Sequence, residues 1–432
     1  MFACALSTRL FFTLRSDQYS LVKETPDAAS YLVPAQNLLK QGSFLNRYDY
    51  PEISRTPGYS TFLAGIMLVV GQDWRKVLLT QTILVSFSVL VSFWTAATIF
   101  SPAGAFIGAL FAALSPWGAV RAGLPLTEGL YLLIISLLFL TLKLSERANR
   151  RSSLLASGAC VGLLTGAAVM IRPVWPLVLL IAVAIVFLFG PNKKGVWLLL
   201  GAVLLFSVTP ILLWKERNRQ VAHFDGLTDI SGETVFYYLA SRVTAYVHGQ
   251  DLWVVKDQAI SESRNWKLSN QKADEERWRR ADAIFREHPI ATVYFLVLNA
   301  IEHAINPSPD VLRPPGLNFY GDFWFLGLTW GGLLGLAFIS LRSGFNGAKK
   351  ISHDQRWVYT ILAICLLLTF AGGISFGQGS RLRVSLELII PFMAAEGLLR
   401  VIGNVASHDL LRETSGISLK RTTFEAKKNR QS

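Results

Sequence analysis

The feature that most constrains this chain is a series of long apolar blocks with no polar face. "VLLTQTILVSFSVLVSFWTAATIF", "YLLIISLLFLTL", "PLVLLIAVAIVFLF" and "GVWLLLGAVLLFSVTPILLW" offer nothing to water on any side. Such runs approach or exceed the roughly 18–20 apolar residues that cross a hydrocarbon core as a helix. Length alone would allow 432 residues to form two or three soluble domains. A composition of 52% hydrophobic and 16% charged residues overrides that prior. The fold class expected is an all-α polytopic membrane protein.

Helix candidates fall at residues 1–14, 57–71, 76–99, 102–119, 125–143, 153–171, 174–190, 195–214, 321–341, 357–376 and 385–403. The first block carries Arg9 and is short for a span, which implies a tilted helix or a chain begun too far downstream. Two hydrophilic stretches interrupt the series, 15–56 and 215–290, the second with a weakly apolar continuation to residue 320. Within it, "DEERWRRADAIFREHP" places Trp278, Ala281 and Phe285 on one stripe of an amphipathic helix ended by Pro289. The segment 290–306 reads as a helix at the membrane interface, because Glu302 and His303 are costly in lipid.

The net charge of +13 concerns topology more than nucleic acid, since no basic patch sits on a soluble domain. Basic residues gather in "SERANRRS" (145–152), "NKK" (192–194), "NGAKKISHDQR" (346–356) and the tail 404–432. The positive-inside rule assigns these to the cytoplasm, and with them the stretch from residue 215 onward to the outside. A loop 15–56 on that same side leaves one helix too many between 57 and 128, so either one of the three candidates there is broken or re-entrant or one of the helix boundaries is misplaced. Cys4, Cys160 and Cys365 lie far apart in apolar segments and read as buried small hydrophobes. No metal-binding spacing is present, and no cofactor is expected.

The loop 15–56 is the richest in chemistry. Asp27 precedes the helical "AASYLVPAQNLLK", where it suits an N-cap with Tyr31 one turn later, and Pro34 should kink that helix. The alternative is a general base near Tyr31 and Arg55. Arg55 in "SRTPGY" could anchor to lipid phosphate or grip a substrate phosphate. Glu128 stands in a helix's first turn, where the dipole favours an acid. Glu387 lies in an apolar helix, and Arg383 one turn earlier is its nearest partner in sequence. Phe236, Tyr237, Tyr238, Tyr246, Trp253 and Trp266 are expected to pack a small lid.

Several of these segments carry a resemblance. "D-x3-Y-x3-A…G-x-F…R-T-P-G-Y-x-x-F-L" is similar to the first external loop of bacterial protein-mannosyltransferase-like glycosyltransferases of the GT-C superfamily, relatives of the aminoarabinose transferases. "LPLTEGLYLLIISLLFL" with Glu128, "GLLTGAAVMIRPVWPLVLL" with Arg172, "WKERNRQVAHFDG" with Arg217 and Asn218, and "GSRLRVSLELIIPFMAAEGL" with Arg381 and Arg383 follow in the family's order. Ser385 and Leu382 depart from the family's usual proline and aromatic.

The resemblance implies a GT-C-type bundle of roughly 10–12 transmembrane helices over residues 1–403. It implies a multi-pass enzyme of the cytoplasmic (inner) membrane with its catalytic loops outside or in the periplasm. That enzyme would move a hexosyl or pentosyl unit from a polyprenyl-phosphate-linked donor to a protein, lipid or glycan acceptor. Asp27 would be the base, with Glu128 orienting the acceptor or sharing that role. Tyr31, Arg55, Arg172, Arg217, Arg381 and Arg383 would hold the phosphate and substrate. Some relatives hold a divalent ion. A flippase of lipid-linked sugars or an O-antigen ligase or polymerase are the competing classes. Transporters usually show paired halves with interrupted helices, and no such symmetry is visible here.

Overall fold

The computed structural model describes residues 1–15, 27–148, 150–173, 175–189, 193–305, 353–372 and 384–403, with a few more between 327 and 335. The chain runs through α1 (Phe2–Arg15), α2 (Ala28–Gln41), α3 (Pro57–Val70), α4 (Trp74–Ala97), α5 (Pro102–Ala113), α6 (Pro116–Gly123), α7 (Thr127–Ser145) and α8 (Arg151–Ile171). It continues through α9 (Trp175–Phe189) and α10 (Lys193–Ala222). Beyond them lie α11 (Ile230–Thr234), a π-helical turn (Val235–Ala240), α12 (Ser241–His248), α13 (Leu252–Arg264), α14 (Asn270–Glu287), α15 (Pro289–Ile305) and α16 (His353–Gly372). A 3-10 turn (Val384–Leu388) then leads into α17, residues 390–403. Among the described residues there is no β-strand.

Among the described residues four helices, α4, α7, α8 and α10, are long and apolar enough to cross a bilayer. A fifth candidate span is the pair α5–α6, bent by 52°. The break comes from "SPWG": Pro116 has no N–H to donate, and Ser115 instead accepts from Gly118 N at 3.2 Å as the cap of a new helix. The same Ser-Pro grammar starts α5, where Ser101 accepts from Gly104 N at 3.1 Å.

Helix α3 resolves the surplus in the expected count. Its 14 residues rise about 21 Å, short of a core about 30 Å thick. At its start, the backbone of Gly58 lies against Met170 and Ile171 at the end of α8. Tyr59 there donates to Gln81, two turns into α4, at 2.7 Å. At its other end only Gly71 to Asp73 separate α3 from α4. Both ends of α3 therefore lie at one end of the bundle. The end of α10 lies at that same end, since Arg217 reaches the loop between α2 and α3.

Contacts tie the two loops together there. Arg217 donates to Phe44 O and Glu52 O, each at 2.7 Å. Thr228 Oγ1 donates to Ser54 O at 2.7 Å, and Asp229 N to Ile53 O at 3.3 Å. The opposite end has its own polar clamps. Buried Glu396 accepts from Ser101 Oγ at 2.6 Å and pairs with Arg400 at 2.8 Å. Glu146 accepts from the Trp357 indole and pairs with Lys143.

Within the bundle, α8 meets α10 along Gly158, Gly162 and Gly166, which share one face at four-residue spacing. A Cβ on Gly158 or Gly162 would lie 2.7 Å from Leu199 O or Val203 O, and one on Gly166 would lie 2.9 Å from Pro210. Small residues thus let two backbones touch, the usual device of membrane helices that have no hydrophobic effect to drive them together. The main core gathers buried side chains of α2, α3, α7–α10, α16 and residues 384–393.

Several local expectations are corrected. Pro34 sits buried inside an unbroken α2. Cys160 is exposed and Cys4 half-buried, so only Cys365 is a buried small hydrophobe. Trp278 is 44% exposed, while Ala281 and Phe285 pack beneath the π turn. Phe236, Tyr237 and Trp266 do form the core of the second loop, but Tyr246 and Trp253 are exposed. Glu302 is paired with Arg242 at 2.9 Å through both carboxylate oxygens. The candidate 321–341 and the tail 404–432 lie mostly or wholly outside the described residues.

Placing a larger side chain at Gly162 should force α8 from α10. Gly162→Val should lower the thermal unfolding midpoint in detergent, at a cost of about 1–3 kcal/mol from overpacking. Gly201→Ala, on α10 with nothing within 4 Å of its Cβ position, should leave that midpoint unchanged.

Candidate functional site

Asp27 holds the N-cap position of α2, yet its side chain makes no cap hydrogen bond. The carboxylate pairs instead with Arg55 at 2.9 Å, so the sequence position of a cap is used to present a charge. Arg55 also donates from Nε to Ser30 Oγ at 3.0 Å and lies over the Tyr31 ring at 4.9 Å. Asp27 and Arg55 keep 27% and 18% of their side chains exposed, which leaves the pair open to a ligand.

Arg55 is aimed by its own turn. Glu52, 5% exposed, accepts from the backbone N–H of Ser54 at 2.6 Å and of Arg55 at 3.0 Å. Burial pushes the Glu52 carboxyl above its ordinary range, and the two N–H donors oppose that rise. Arg217 braces the turn from α10 by holding Glu52 O and Phe44 O, with Asn218 Oδ1 as a third acceptor. Asn218 in turn donates to Gly226 O and Leu227 O. The guanidinium of Arg217 is thus committed to the backbone.

Below this pair the charges continue into the bundle. Tyr31 packs edge-on against Tyr59 at 5.1 Å between centroids. Tyr59 is within electrostatic reach of Glu128. Glu128 is fully buried at the start of α7 and pairs with Arg172 at 2.7 Å. Arg172 follows α8, donates from Nε to Thr127 Oγ1 at 3.1 Å and lies 5.5 Å from the Tyr131 ring centroid. Deeper still, Glu387 pairs with Arg121 of α6 at 2.5 Å. The expected partner of Glu387, Arg383, lies outside the described residues, as does Arg381. The contact seen spans 266 positions.

The structure therefore brings together Asp27, Tyr31 and Arg55 at the rim, with Glu128 and Arg172 beneath them, and gives Arg217 a bracing place behind. Sequence reasoning missed Glu52, Gln81, Arg121 and the depth of Arg9. A signal existed for the two arginines, since an ionisable residue in an apolar segment marks a partner or a cavity. Among the described residues no group of His, Cys, Asp and Glu could hold a metal ion.

Behind Arg55 the second loop contributes a cluster of acids. Asp229, 9% exposed, Glu233 and Asp274 interact with one another, and Arg277 pairs with Glu233 at 3.3 Å. Gly232 N donates to Asp274, which sits so close that a Cβ on Gly232 would collide with its Oδ1. Burial, reinforced by Asp229, pushes the Asp274 carboxyl up to about 6.

Two outcomes follow from these environments. A folded-state pKa above the unfolded one means the native loop binds its proton more tightly. The stabilisation is complete below the ordinary carboxyl range and is lost as pH rises through about 6. Hydrogen exchange of the 270–287 helix should accordingly speed up between pH 5 and pH 7 beyond its intrinsic rate, and Asp274→Asn should flatten that change. Arg172→Met should destabilise the protein by about 3–5 kcal/mol because it strands a buried carboxylate, and adding Glu128→Gln should recover much of the loss in a thermal melt.

By sequence, no family model and no curated protein matches the chain. By structure it is similar to the Archaeoglobus fulgidus oligosaccharyltransferase in the apo form, with TM-score 0.50 and 12% identity over 95% of this chain and 52% of that one. The complex of AglB from the same organism with an inhibitory peptide and a dolichol-phosphate gives TM-score 0.49 at the same identity and coverage. ArnT from Cupriavidus metallidurans bound to undecaprenyl phosphate gives TM-score 0.38 and 12% identity over 87% and 73% of the two chains, too slight a likeness to build on. The chain spans about half the length of the oligosaccharyltransferase, and at this identity the likeness is one of fold. That fold is polytopic, and all-helical among the described residues.

Proposed function

We propose that the protein is a membrane glycosyltransferase that moves a sugar from a polyprenyl-phosphate-linked donor to a hydroxyl of a protein, lipid or glycan acceptor at the outer face of the cytoplasmic membrane. The observation that carries this reading is the presentation of Asp27. Its carboxylate stands at the rim of a GT-C-type bundle, held out by Arg55 rather than spent on its own helix. Acid and arginine pairs continue directly beneath it.

The chemistry needs a base for the acceptor and positive charge for the phosphate that leaves. In the reaction proposed, Asp27 takes the acceptor's proton as the acceptor attacks the anomeric carbon. The bond from that carbon to the phosphate oxygen breaks with inversion, and the lipid phosphate departs as an anion needing no proton. Arg55 sits on the same carboxylate and on Tyr31, so an incoming phosphate can draw the guanidinium away and free the base. Arg172, with Arg381 and Arg383 from the later loop, would add positive charge. Glu128, fully buried on Arg172, suits orienting that arginine more than touching the acceptor. Arg217 acts through the backbone of residues 44 and 52 as a positioning residue.

The test uses purified full-length protein in detergent with a panel of polyprenyl-phosphate sugars. Asp27→Asn should reduce transfer by about 100-fold or more while expression and thermal midpoint stay near wild type. Wild-type turnover by that variant would remove Asp27 as the base. No turnover of any donor by the wild type, in the presence of candidate acceptors, would count against glycosyl transfer itself.

A further inference from the structure

We propose that the hairpin of residues 44–52 in the first loop is a carbohydrate-binding platform, on which Tyr48 and Tyr50 receive an oligosaccharide acceptor. This rests on the transfer reading above and narrows its acceptor to a glycan. The hairpin reads "FLNRYDYPE". Tyr48 and Tyr50 are 63% and 69% exposed, yet the backbone that carries them is pinned along its length.

At the foot, Glu52 N donates to Phe44 O at 3.0 Å, and Leu45 bridges antiparallel to Pro51. Arg217 holds the carbonyls of both feet, and the buried Phe44 ring stands edge-on to Trp214 at 5.3 Å. Higher up, Asn46 N donates to Tyr50 O at 2.8 Å. Asn46 Oδ1 accepts from Tyr48 N at 2.9 Å and from Tyr50 N at 3.2 Å. Asn37 of α2 donates to Leu45 O at 3.1 Å. Asp49 turns the chain in the left-handed region, at φ 60°, which Asp tolerates better than most residues with a side chain. None of these bonds uses a tyrosine ring. A turn of this kind needs only small polar residues. Large rings held out on a fixed backbone make a preorganised contact surface, with little freedom left to lose when a ligand lands on them.

The chemistry of the tip selects the ligand. Each tyrosine offers an apolar face with a polar edge, which suits the C–H face of a sugar ring. Arg47 Cζ lies 4.7 Å from the centre of the Tyr48 ring, and Asp49 stands between the two tyrosines in sequence. A donor and an acceptor for sugar hydroxyls therefore accompany the rings. A bilayer could cover this tip only by dehydrating both charges. The platform is also tied to the reacting pair. Tyr50 stands five residues before Arg55, so their Cα atoms are at most roughly 18 Å apart. A short oligosaccharide covers that reach, so a chain stacked on the tip can offer a terminal hydroxyl to Asp27.

The test applies purified full-length protein in detergent to a printed array of bacterial cell-envelope glycans, with monosaccharides and unglycosylated peptides on the same slide. Wild type should retain at least one glycan longer than a monosaccharide. Tyr48→Ala with Tyr50→Ala should raise the half-saturating protein concentration by about tenfold or more, the loss expected when aromatic anchors are truncated. Tyr48→Phe with Tyr50→Phe keeps the rings and should stay within about threefold of wild type. Both pairs should melt with the wild type, since neither ring is buried. The proposal is overturned if no glycan is retained, if the alanine pair binds like wild type, or if peptides are retained with the same dependence on the two rings. It is likewise overturned by a phenylalanine pair as weak as the alanine pair, or by an alanine pair that melts several degrees lower, which would make the rings structural. Sugar transfer by a wild type that retains no glycan would remove the platform and leave the reaction standing, whereas ring-dependent retention without transfer of any donor would do the reverse.

Discussion

Charges this far inside a membrane bundle survive only in pairs, and the pairing of Glu128 with Arg172 fixes much of the rest. The carboxylate starts α7 and the guanidinium follows α8, so their contact sets the relative height of two spanning helices. Tyr59 is close to that carboxylate and bonded to Gln81 of α4, which ties α3 to the same level. Arg121 and Glu387 repeat the arrangement one layer deeper and bind the last helical segment to α6. Hydrocarbon supplies no directional force between helices, so register has to come from such contacts and from close backbone approach.

The rim of the bundle is governed by a different physics, that of a loop whose polar backbone must be satisfied. Glu52 binds two N–H groups of its own turn, and Arg217 binds two carbonyls of the same loop. Between them they remove the freedom that would otherwise let Arg55 wander. The Asp27–Arg55 pair is thus a presented group on a braced support, which is what a reacting site requires and a tether does not.

Much of this fold was legible because apolar runs of hydrocarbon length suit a bilayer and little else. The amphipathic helix around Ala281 and the need for a broken or non-crossing segment before Glu128 were legible for the same reason. What stayed hidden was long-range. Spacing proposes Arg383 for Glu387 because helical neighbours are visible in sequence, whereas Arg121 is 266 positions away. Asp27 occupies a cap position, and nothing in the sequence tells whether the carboxylate turns to its own backbone or to Arg55. Glu52 looks like any acid in a polar loop, since a carboxylate that binds backbone N–H groups leaves no periodic mark. The close approach at Gly158, Gly162 and Gly166 came from the structure alone, because the spacing of glycines does not say which helix they meet.

The brace from Arg217 has a consequence for how the protein is made. Its two acceptors lie 165 and 173 residues earlier in the chain. During synthesis the first loop therefore emerges long before the side chain that secures it. Until α10 has entered the membrane, Phe44 and Glu52 offer their carbonyls to water, and Arg55 stands on an unsupported turn. The brace at the rim is completed only once α10 has been inserted, so a ribosome that stalls earlier leaves behind a helix bundle whose first loop is unsecured.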